Sequence, residues 1–349
     1  MKQNPIFKIE KRLIGKNYKP LIIPEMGINH GGSIEVAFKI VDAAKRAGAE
    51  IIKHQTHIPD DEMSSEAKFI KPGNSNKSIY NIISKNSLSL EDEYKLFKYT
   101  KKKSLIFLST PFSRLAADRL IKFGVKAFKI GSGEFNNIPF LDYVCKFKLP
   151  MIISTGMHSI KNVKKTVKYL IKKKVNFSLL HATNLYPTPD HLVRLDSLLD
   201  IKKNFPKRVF GLSDHTRTNY SSYGAISLGA SIIEKHFTDH KMRKGPDIPA
   251  SIDEKELKQL INGCNILSLQ RGGKKDHLKQ EQVTRNFAFA SVVTTKNIKK
   301  GEKFSKKNIW VKRPGTGEIK AEKYYKILGK KSKKDIKKNI QIKLSFING

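Results

Sequence analysis

Short apolar segments alternate with longer amphipathic ones from about residue 20 to about residue 272. The short segments are rich in Ile, Leu, Val and Phe and mostly end at Gly, Ser or Thr, a pattern typical of buried strands. Eight of them occur: PLIIPEMG, EIIKHQT, LIFLST, AFKIGSG, PMIISTG, FSLLHAT, RVFGLSDHT and SIIEKHFT. We therefore predict eight strands in this part of the chain.

The amphipathic segments between these strands predict helices. Ser33 can cap a helix through IEVAFKIVDAAKRAG, in which Ile34 and Phe38 fall on one apolar stripe. Ser89 can begin a second helix in the same way, with Asp92 three residues later. Further helices are predicted at residues 113–123, 138–148, 159–174, 196–204, 219–228 and 253–271.

Eight consecutive strand–helix units predict a (β/α)8 TIM barrel, which typically needs about 250 residues. The alternative is an open, doubly wound sheet, which usually carries a glycine-rich phosphate loop after its first strand. The corresponding position reads GINHGG, which does not match the GxGxxG pattern of that loop. The sequence therefore favours the closed barrel.

The pattern of apolar residues changes after residue 273. Residues 274–286, KKDHLKQEQVTRN, are polar and have no periodic apolar face, so we interpret them as a linker. Residues 287–349 contain short strand-like runs separated by turn signals, which predict a small β-rich domain. We therefore divide the chain into a barrel domain at 1–273, a linker at 274–286 and a C-terminal domain at 287–349.

Charge narrows the classes of function. Lys and Arg number 68 against 31 Asp and Glu, which gives a net charge of +37 over 349 residues. The basic residues are scattered along the chain, and no RNA-binding aromatic motif, zinc knuckle or basic heptad region accompanies them. We therefore expect no specific nucleic-acid binding. The positive field can still attract an anionic substrate.

The absence of targeting and membrane-spanning patterns indicates where in the cell the protein is located. It has neither a signal-peptide pattern nor an apolar run of the roughly 18–20 residues that span a bilayer. Its two cysteines, Cys145 and Cys264, lie far apart without metal-type spacing, and we expect buried free thiols rather than a disulfide. These features predict a cytoplasmic protein that does not associate with membranes.

Polar side chains occur at or just beyond the carboxyl ends of all eight predicted strands. Barrels of this kind place their catalytic groups at that end. A shared site therefore explains the polar set better than eight unrelated loop starts do. The set comprises Glu25, Lys53, His54, Thr110, Lys129, Ser132, Glu134, Ser154, Asn184, Ser213, Asp214, His215 and His236.

Two histidines suggest a metal site. His215 and His236 end the seventh and eighth predicted strands, which would lie about 4.8 Å apart as neighbours. Closure of the barrel brings Glu25, at the end of the first strand, beside them. Two imidazoles and a carboxylate, with room for water or substrate, suit a divalent cation acting as a Lewis acid. The alternative is two separate histidines, each hydrogen-bonded to loop backbone.

Two lysines suggest an anion site. Lys53 and Lys129 end the second and fourth predicted strands, where a charged side chain is costly unless its head meets water or an anion. With the Thr and Ser hydroxyls of the neighbouring strand ends, they predict a site for a phosphate or a carboxylate. The alternative is that both lysines only extend from the barrel rim into water.

A series of collinear motifs resembles the sialic acid synthase family, and within it the bacterial N-acetylneuraminate synthases. The motifs include IIPEMGINHGG, IIKHQTHI, STPFSR, KIGSGEFNN, TNLYPTP, GLSDHT, EKHFT and IWVKRPGTG. The resemblance covers nearly the whole chain, and the C-terminal domain resembles the SAF (antifreeze-like) domain of that family. It implies an enzyme that condenses phosphoenolpyruvate with an N-acetylated hexosamine and water, giving a nine-carbon 2-keto sugar acid and phosphate.

The resemblance also implies roles for individual residues. His215 and His236 correspond to the ligands of a divalent metal, most often Mn²⁺ and otherwise Mg²⁺, and Glu25 to an acid/base group beside it. The residues that correspond to the phosphoenolpyruvate site are Lys53, Thr110, Lys129, Ser132, Ser154, Asn184 and Ser213. Those that correspond to the sugar site are Glu134, Tyr186, Asp247 and Arg313. The resemblance implies a domain-swapped homodimer in which Arg313 comes from the partner subunit.

The sugar that this resemblance implies is N-acetylmannosamine, which would give N-acetylneuraminate. The alternative is a sister synthase that makes legionaminate or pseudaminate from a 6-deoxy diacetamido hexose, because only one or two substituents distinguish these sugars. Two other classes of function are a basic binding protein with a non-catalytic barrel and a carbohydrate-binding module built on the C-terminal domain. The complete polar set at the strand ends argues against the first of these.

Overall fold

The computed structural model describes residues 4–73 and 75–348, and its chain divides into two compact units between Arg271 and Gly272. Eight parallel strands of the first unit form a closed barrel, in which neighbours along the chain pair in order and the last strand pairs with the first. This confirms the predicted (β/α)8 barrel. The strands of this unit are β1 Ile6–Ile9, β2 Arg12–Gly15, β3 Leu21–Gly27, β4 Ile51–Thr56, β5 Ile106–Pro111, β6 Phe128–Ile130, β7 Met151–Ser154, β8 Phe177–Ala182, β9 Phe210–Asp214 and β10 Ile232–His236.

Helices cover the outside of the barrel, which consists of β3 to β10. Their apolar faces and the outward side chains of the strands form one large buried core. The predicted caps are confirmed, because the Ser33 and Ser89 side chains accept hydrogen bonds from the backbone N–H groups of Val36 and Asp92. The helices are α1 Ile34–Arg46, α2 Pro59–Glu62, α3 Ile79–Asn86, α4 Leu90–Lys102, α5 Arg114–Phe123, α6 Ile138–Cys145, α7 Ile160–Lys172, α8 Ser197–Asn204, α9 Tyr220–Ser227 and α10 Glu254–Gln270.

A hairpin that the sequence pattern did not predict closes the amino end of the barrel. Strands β1 and β2 pair antiparallel, and Phe7, Ile9 and Ile14 are at most 1% exposed. They pack with inward side chains near the starts of barrel strands, among them Leu21 and Ile51. This apolar plug leaves the carboxyl end as the open end of the barrel.

The second unit is a small β-rich fold with its own core. Strand β11 pairs antiparallel with β12, and Val292, Phe304, Ile309 and Ile342 lie at the centre of the core. The predicted β-rich C-terminal domain is confirmed. The segment that we interpret as a linker includes a short 3-10 helix at Lys279–Glu281. The regular elements of this unit are α11 Gln282–Ala288, β11 Ser291–Thr294, β12 Ile309–Lys312 and α12 Tyr324–Ile327.

Two further expectations concern the chain as a whole. Cys145 and Cys264 are both buried free thiols, as predicted. Among the helices that the structure describes, none is both long and apolar enough to cross a lipid bilayer.

Candidate active site

A polar cavity of about 140 Å³ lies at the carboxyl end of the barrel. Its lining contains Glu25, Lys53, Thr110, Lys129, Ser132, Ser154, Asn184, Tyr186, Ser213, His215 and His236. The structure thus brings into one cavity eleven of the fourteen residues to which the resemblance assigns a role, whereas His54 and Asp214, also predicted for a shared site at the strand ends, are not in its lining. Gln55, Phe112, Gly131, Gly133 and Glu234 complete the lining.

The two predicted lysines point into this cavity with buried ammonium groups. Lys53 Nζ lies 2.7 Å from Glu25 Oε1 and donates to Thr110 Oγ1 at 3.2 Å. Lys129 Nζ donates to Ser154 Oγ at 2.8 Å. Because the two side chains are only 4% and 3% exposed, they do not extend from the rim into water. Burial lowers the pKa of Lys129 to about 8.

Glu234 is a charged residue of the cavity that the sequence reasoning missed. Its Oε1 accepts a hydrogen bond from Ser213 Oγ at 3.1 Å and lies 3.6 Å from Lys129 Nζ and 4.0 Å from Lys53 Nζ. Its Oε2 is buried without a hydrogen-bond partner among the described residues. A signal was present in SIIEKHFT, because Glu234 precedes His236 by two positions and therefore shares its face of the strand.

The two histidines converge, with ring centroids 5.5 Å apart. His215 Nδ1 lies 2.8 Å from the Thr183 carbonyl oxygen, which leaves Nε2 on the side of Ser213 Oγ, 3.4 Å away. His236 Nδ1 is buried without a hydrogen-bond partner among the described residues, and Asp247 Oδ2 lies 3.9 Å from it. Backbone hydrogen bonding, the alternative to a metal, therefore accounts for one nitrogen of His215 but not for His236.

The electrostatics of these rings suit metal ligation. Burial lowers the pKa of His215 and takes the pKa of His236 well below its ordinary value. Both rings are therefore neutral near pH 7, the form that coordinates metals. In residues 4–73 and 75–348, no group of three or more His, Cys, Asp or Glu side chains is placed to hold a metal ion. A cation at this pair would need water or substrate to complete its coordination.

The predicted sugar-site residues are less closely grouped. The ring centroids of Tyr186 and His215 lie 4.3 Å apart, and burial raises the pKa of the Tyr186 hydroxyl. The Asp247 side chain is 15% exposed, and burial, helped by the charge of Glu25, raises its pKa to about 7. Glu134 lines an adjoining cavity of about 460 Å³, where burial raises its pKa.

Arg313 lies in the second unit, directly after β12, and is exposed. A single chain does not test its predicted contact with the barrel of a partner subunit, so that contact stays a prediction.

One glycine is required by the close approach of two cavity residues. A Cβ on Gly156 would lie 1.8 Å from Asn184 Oδ1 and 2.8 Å from Ser132 Oγ. The Gly156 backbone N–H also donates to Ser132 Oγ at 3.0 Å. The loop after β7 therefore fits closely against both predicted phosphoenolpyruvate ligands.

Comparison with known proteins agrees with this architecture. Residues 40–276 match the model of the NeuB family, and residues 289–347 match that of the SAF domain. The chain is 38% identical over 329 residues to an N,N'-diacetyllegionaminic acid synthase of Campylobacter jejuni, with 92% of this chain and 98% of that protein covered. It is 30% identical over 328 residues to human N-acetylneuraminate-9-phosphate synthase, with 92% and 90% covered.

A solved structure extends the comparison to three dimensions. The N-acetylneuraminic acid (sialic acid) synthetase of Leptospira borgpetersenii matches with a TM-score of 0.74 at 28% identity, covering 80% of this chain and 95% of that one. The family match spans most of the barrel, and the SAF match spans most of the second unit. The chain therefore belongs to the NeuB family, the sialic acid synthase family that its motifs resemble, and it carries a C-terminal SAF domain.

Proposed function

We propose that this chain condenses phosphoenolpyruvate with an N-acetylated hexosamine and water to give a nine-carbon 2-keto sugar acid and phosphate. The observation that carries the proposal is the cavity at the carboxyl end of the barrel, where two buried ammonium groups meet a set of hydroxyl and amide donors. Such groups bind phosphate and carboxylate together. Family membership supports the same reaction class, since the relatives compared above are sialic and legionaminic acid synthases.

In this proposal the phosphoenolpyruvate anion lies against Lys53 and Lys129. Their charges offset those of its phosphate and carboxylate throughout the reaction. The ligands that orient it are Thr110, Ser132, Ser154, Asn184 and Ser213. Glu234 lies between the two lysines and limits the repulsion of their ammonium groups before the anion binds.

The divalent metal ion is a separate part of the proposal. His215 and His236 would hold a divalent cation, with Mn²⁺ expected and Mg²⁺ the alternative. The fit is supported by two buried acceptors that lack partners among the described residues, His236 Nδ1 and Glu25 Oε2. When bound, such an ion would polarise the aldehyde of the open-chain sugar as a Lewis acid.

The proposed reaction needs a group that accepts a proton. C3 of phosphoenolpyruvate attacks the sugar aldehyde carbon, and water adds at C2; one proton of this water ends on the former aldehyde oxygen and the other on the departing phosphate. Glu25 accepts the proton that this water loses, because its Oε1 is held by Lys53 and by Gln55 Nε2 at 2.8 Å while its Oε2 has no described partner. The tetrahedral intermediate then expels phosphate by cleavage of the C2–O bond.

Phosphate release tests this function. With phosphoenolpyruvate, Mn²⁺ and an N-acetyl sugar, the protein should release phosphate only when the sugar is present. Glu25→Ala should lose turnover but still bind phosphoenolpyruvate, since the two lysines remain. No sugar-dependent release with any N-acetyl sugar would contradict the proposal, and full activity of the Glu25 variant would remove its assigned role.

The identity of the sugar separates two candidate functions. The sequence motifs favour N-acetylmannosamine, and hence an N-acetylneuraminate synthase. The comparison favours a 6-deoxy diacetamido hexose, because identity to a legionaminic acid synthase is 38% and to the human N-acetylneuraminate-9-phosphate synthase 30%. Side-by-side kcat/KM values for the two sugars decide, and a preference of about tenfold or more assigns the substrate.

A further inference from the structure

A buried ion pair lies on the outer face of the barrel wall, behind the two histidines, and the proposed reaction does not use it. Lys235 Nζ lies 3.0 Å from Asp214 Oδ2, and both side chains are 0% exposed. The two residues face each other across β9 and β10. Because side chains alternate between the faces of a strand, Asp214 and Lys235 point outward where their neighbours His215 and His236 point into the cavity.

The pair is fully hydrogen-bonded. Asp214 Oδ1 accepts from Thr216 N at 2.9 Å and from Thr216 Oγ1 at 2.8 Å, and Asp214 Oδ2 accepts from Ser222 Oγ at 2.6 Å. Lys235 Nζ donates to the Thr216 carbonyl oxygen at 2.7 Å and to Thr216 Oγ1 at 3.3 Å. This outer network therefore connects β10, helix α9 and the residue directly after His215.

The histidines themselves have few tethers. Within the described residues, His215 is held through Nδ1 by the Thr183 carbonyl oxygen, and His236 Nδ1 has no hydrogen-bond partner. The orientation of the two imidazole rings therefore depends mainly on the position of β9 relative to β10. A buried ion pair adds little net stability compared with apolar packing, but its geometry is demanding. The outer network is suited to fix that relative position.

We propose that Asp214 and Lys235 are positioning residues that hold the imidazoles of His215 and His236 at a separation at which both bind one divalent cation. This inference rests on the metal site of the proposed function. Bonds from a metal to imidazole nitrogen are short, so they tolerate little displacement of either ring. Without the outer network, small shifts of the strand ends separate the two ligands.

The experiment measures Mn²⁺ affinity directly, by electron paramagnetic resonance of free Mn²⁺, in the full-length protein. Asp214→Asn keeps the shape of the side chain and removes its charge. We expect its dissociation constant for Mn²⁺ to rise about tenfold or more, because second-shell substitutions typically cost 10–100-fold. Phosphoenolpyruvate affinity should fall much less, because both lysines lie on other strands and Ser213 is the one proposed ligand on β9 or β10.

A matched control removes charge from a second buried network. Glu93 lies 2.9 Å from Arg119 Nη1 and 3.4 Å from His54 Nδ1, behind β4, and is 1% exposed. Glu93→Gln should lose stability but keep its Mn²⁺ affinity within about twofold. The double variant Asp214→Asn/Lys235→Met leaves no uncompensated buried charge. It should recover thermal stability relative to Lys235→Met alone while its Mn²⁺ affinity stays low.

Three results would overturn the inference. Wild-type Mn²⁺ affinity in Asp214→Asn would show that the outer network does not aim the histidines. An equal loss of affinity in Glu93→Gln would reduce the effect to general loosening. If the wild-type protein does not bind Mn²⁺, the metal site of the proposed function is wrong and this inference fails with it. In the other two results the wild-type protein does bind Mn²⁺, so only the inference fails.

Discussion

At the scale of single residues, the cavity depends on a close approach that only glycine permits. Gly156→Ala would place a methyl group 1.8 Å from Asn184 Oδ1 and 2.8 Å from Ser132 Oγ, so both side chains would have to leave the positions in which they line the cavity. We expect kcat/KM for phosphoenolpyruvate to fall by about tenfold or more. The matched control is Gly133→Ala, also in the lining, where an added Cβ meets nothing within 4 Å. Equal kinetics of the two variants would contradict the assignment of Asn184 and Ser132.

A second residue-scale prediction concerns pH. The pKa of Lys129 is lowered to about 8, chiefly by burial, so its ammonium form is present below that pH and lost above it. The kcat/KM for phosphoenolpyruvate should therefore fall as pH rises through about 8. Lys129→Arg should not show this fall, because guanidinium stays charged over the whole range. If kcat/KM of the wild-type protein stays constant from pH 7 to 10, the prediction for Lys129 is wrong. If Lys129→Arg shows the same fall as the wild-type protein, a group other than Lys129 causes it.

How far sequence alone could predict the site also depends on where each residue lies. Residues on strands, such as Lys53 and His236, were predicted because strand alternation and barrel geometry together fix the end and the face at which they appear. Glu134 and Asp247 lie off the strands, and the path of a loop depends on tertiary contacts that no local period encodes. Glu234 was missed although it shares the face of His236, because a single glutamate in an apolar run has no partner visible in the sequence.

At the scale of elements, the eight barrel strands were predictable and the hairpin was not. Strands covered on both sides read as nearly continuous apolar runs, which stand out from the helices between them. Strand β1 is buried on one face only, with alternating exposed and buried residues over four positions. Strand β2 is as short. Such segments carry too few residues for a periodicity to be recognised.

The hairpin makes a testable contribution to stability. Phe7 is 1% exposed and packs against the inward side chains of the barrel floor. Phe7→Ala should lower the free energy of unfolding of the barrel by about 3–5 kcal/mol. Ile6→Ala, on the opposite face and 45% exposed, should change it by about 0.5 kcal/mol or less. Urea denaturation measures both, and similar losses would show that the hairpin does not plug the barrel.

At the scale of the whole molecule, the two-unit organisation raises the question of how Arg313 acts. We predict that it grips the N-acetyl group of a sugar bound in a partner's barrel. Fully extended, a segment of about thirteen residues would span at most ~45 Å, but Lys279–Glu281 and Gln282–Ala288 are helical, so residues 274–286 reach less far than that. Arg313→Ala alone should mainly raise KM for the sugar, with a smaller effect on phosphoenolpyruvate binding.

Mixing two defective chains tests whether the arginine acts between subunits. Glu25→Ala should inactivate the barrel of its own chain. Arg313→Ala should remove the arginine that its chain donates to the partner's barrel. Co-expressed as a mixed dimer and assayed at a sugar concentration well below the KM of the Arg313 variant, the two variants should form one complete site and recover activity that neither shows alone. No recovery in an isolated mixed dimer would mean that Arg313 acts on its own barrel or not on the sugar.

The charge of the whole molecule differs from that of the site. The net charge is +37, but the cavity lining pairs Lys53 and Lys129 with Glu25 and Glu234. We therefore expect affinity for an anion to come from directed hydrogen-bond donors within the cavity, and the surrounding positive field to contribute attraction at longer range. This division explains why the scattered lysines predicted neither the position of the site nor its chemistry.

The proposed condensation is tested most directly by following one oxygen atom of phosphoenolpyruvate. Phosphoenolpyruvate labelled with ¹⁸O in the oxygen that bridges C2 and phosphorus is supplied with the N-acetyl sugar that supports phosphate release. The released phosphate should carry the label, seen as the isotope shift of its ³¹P resonance, because water adds at C2 and the C2–O bond breaks. Unlabelled phosphate, which would require cleavage of the P–O bond, would contradict condensation at this cavity.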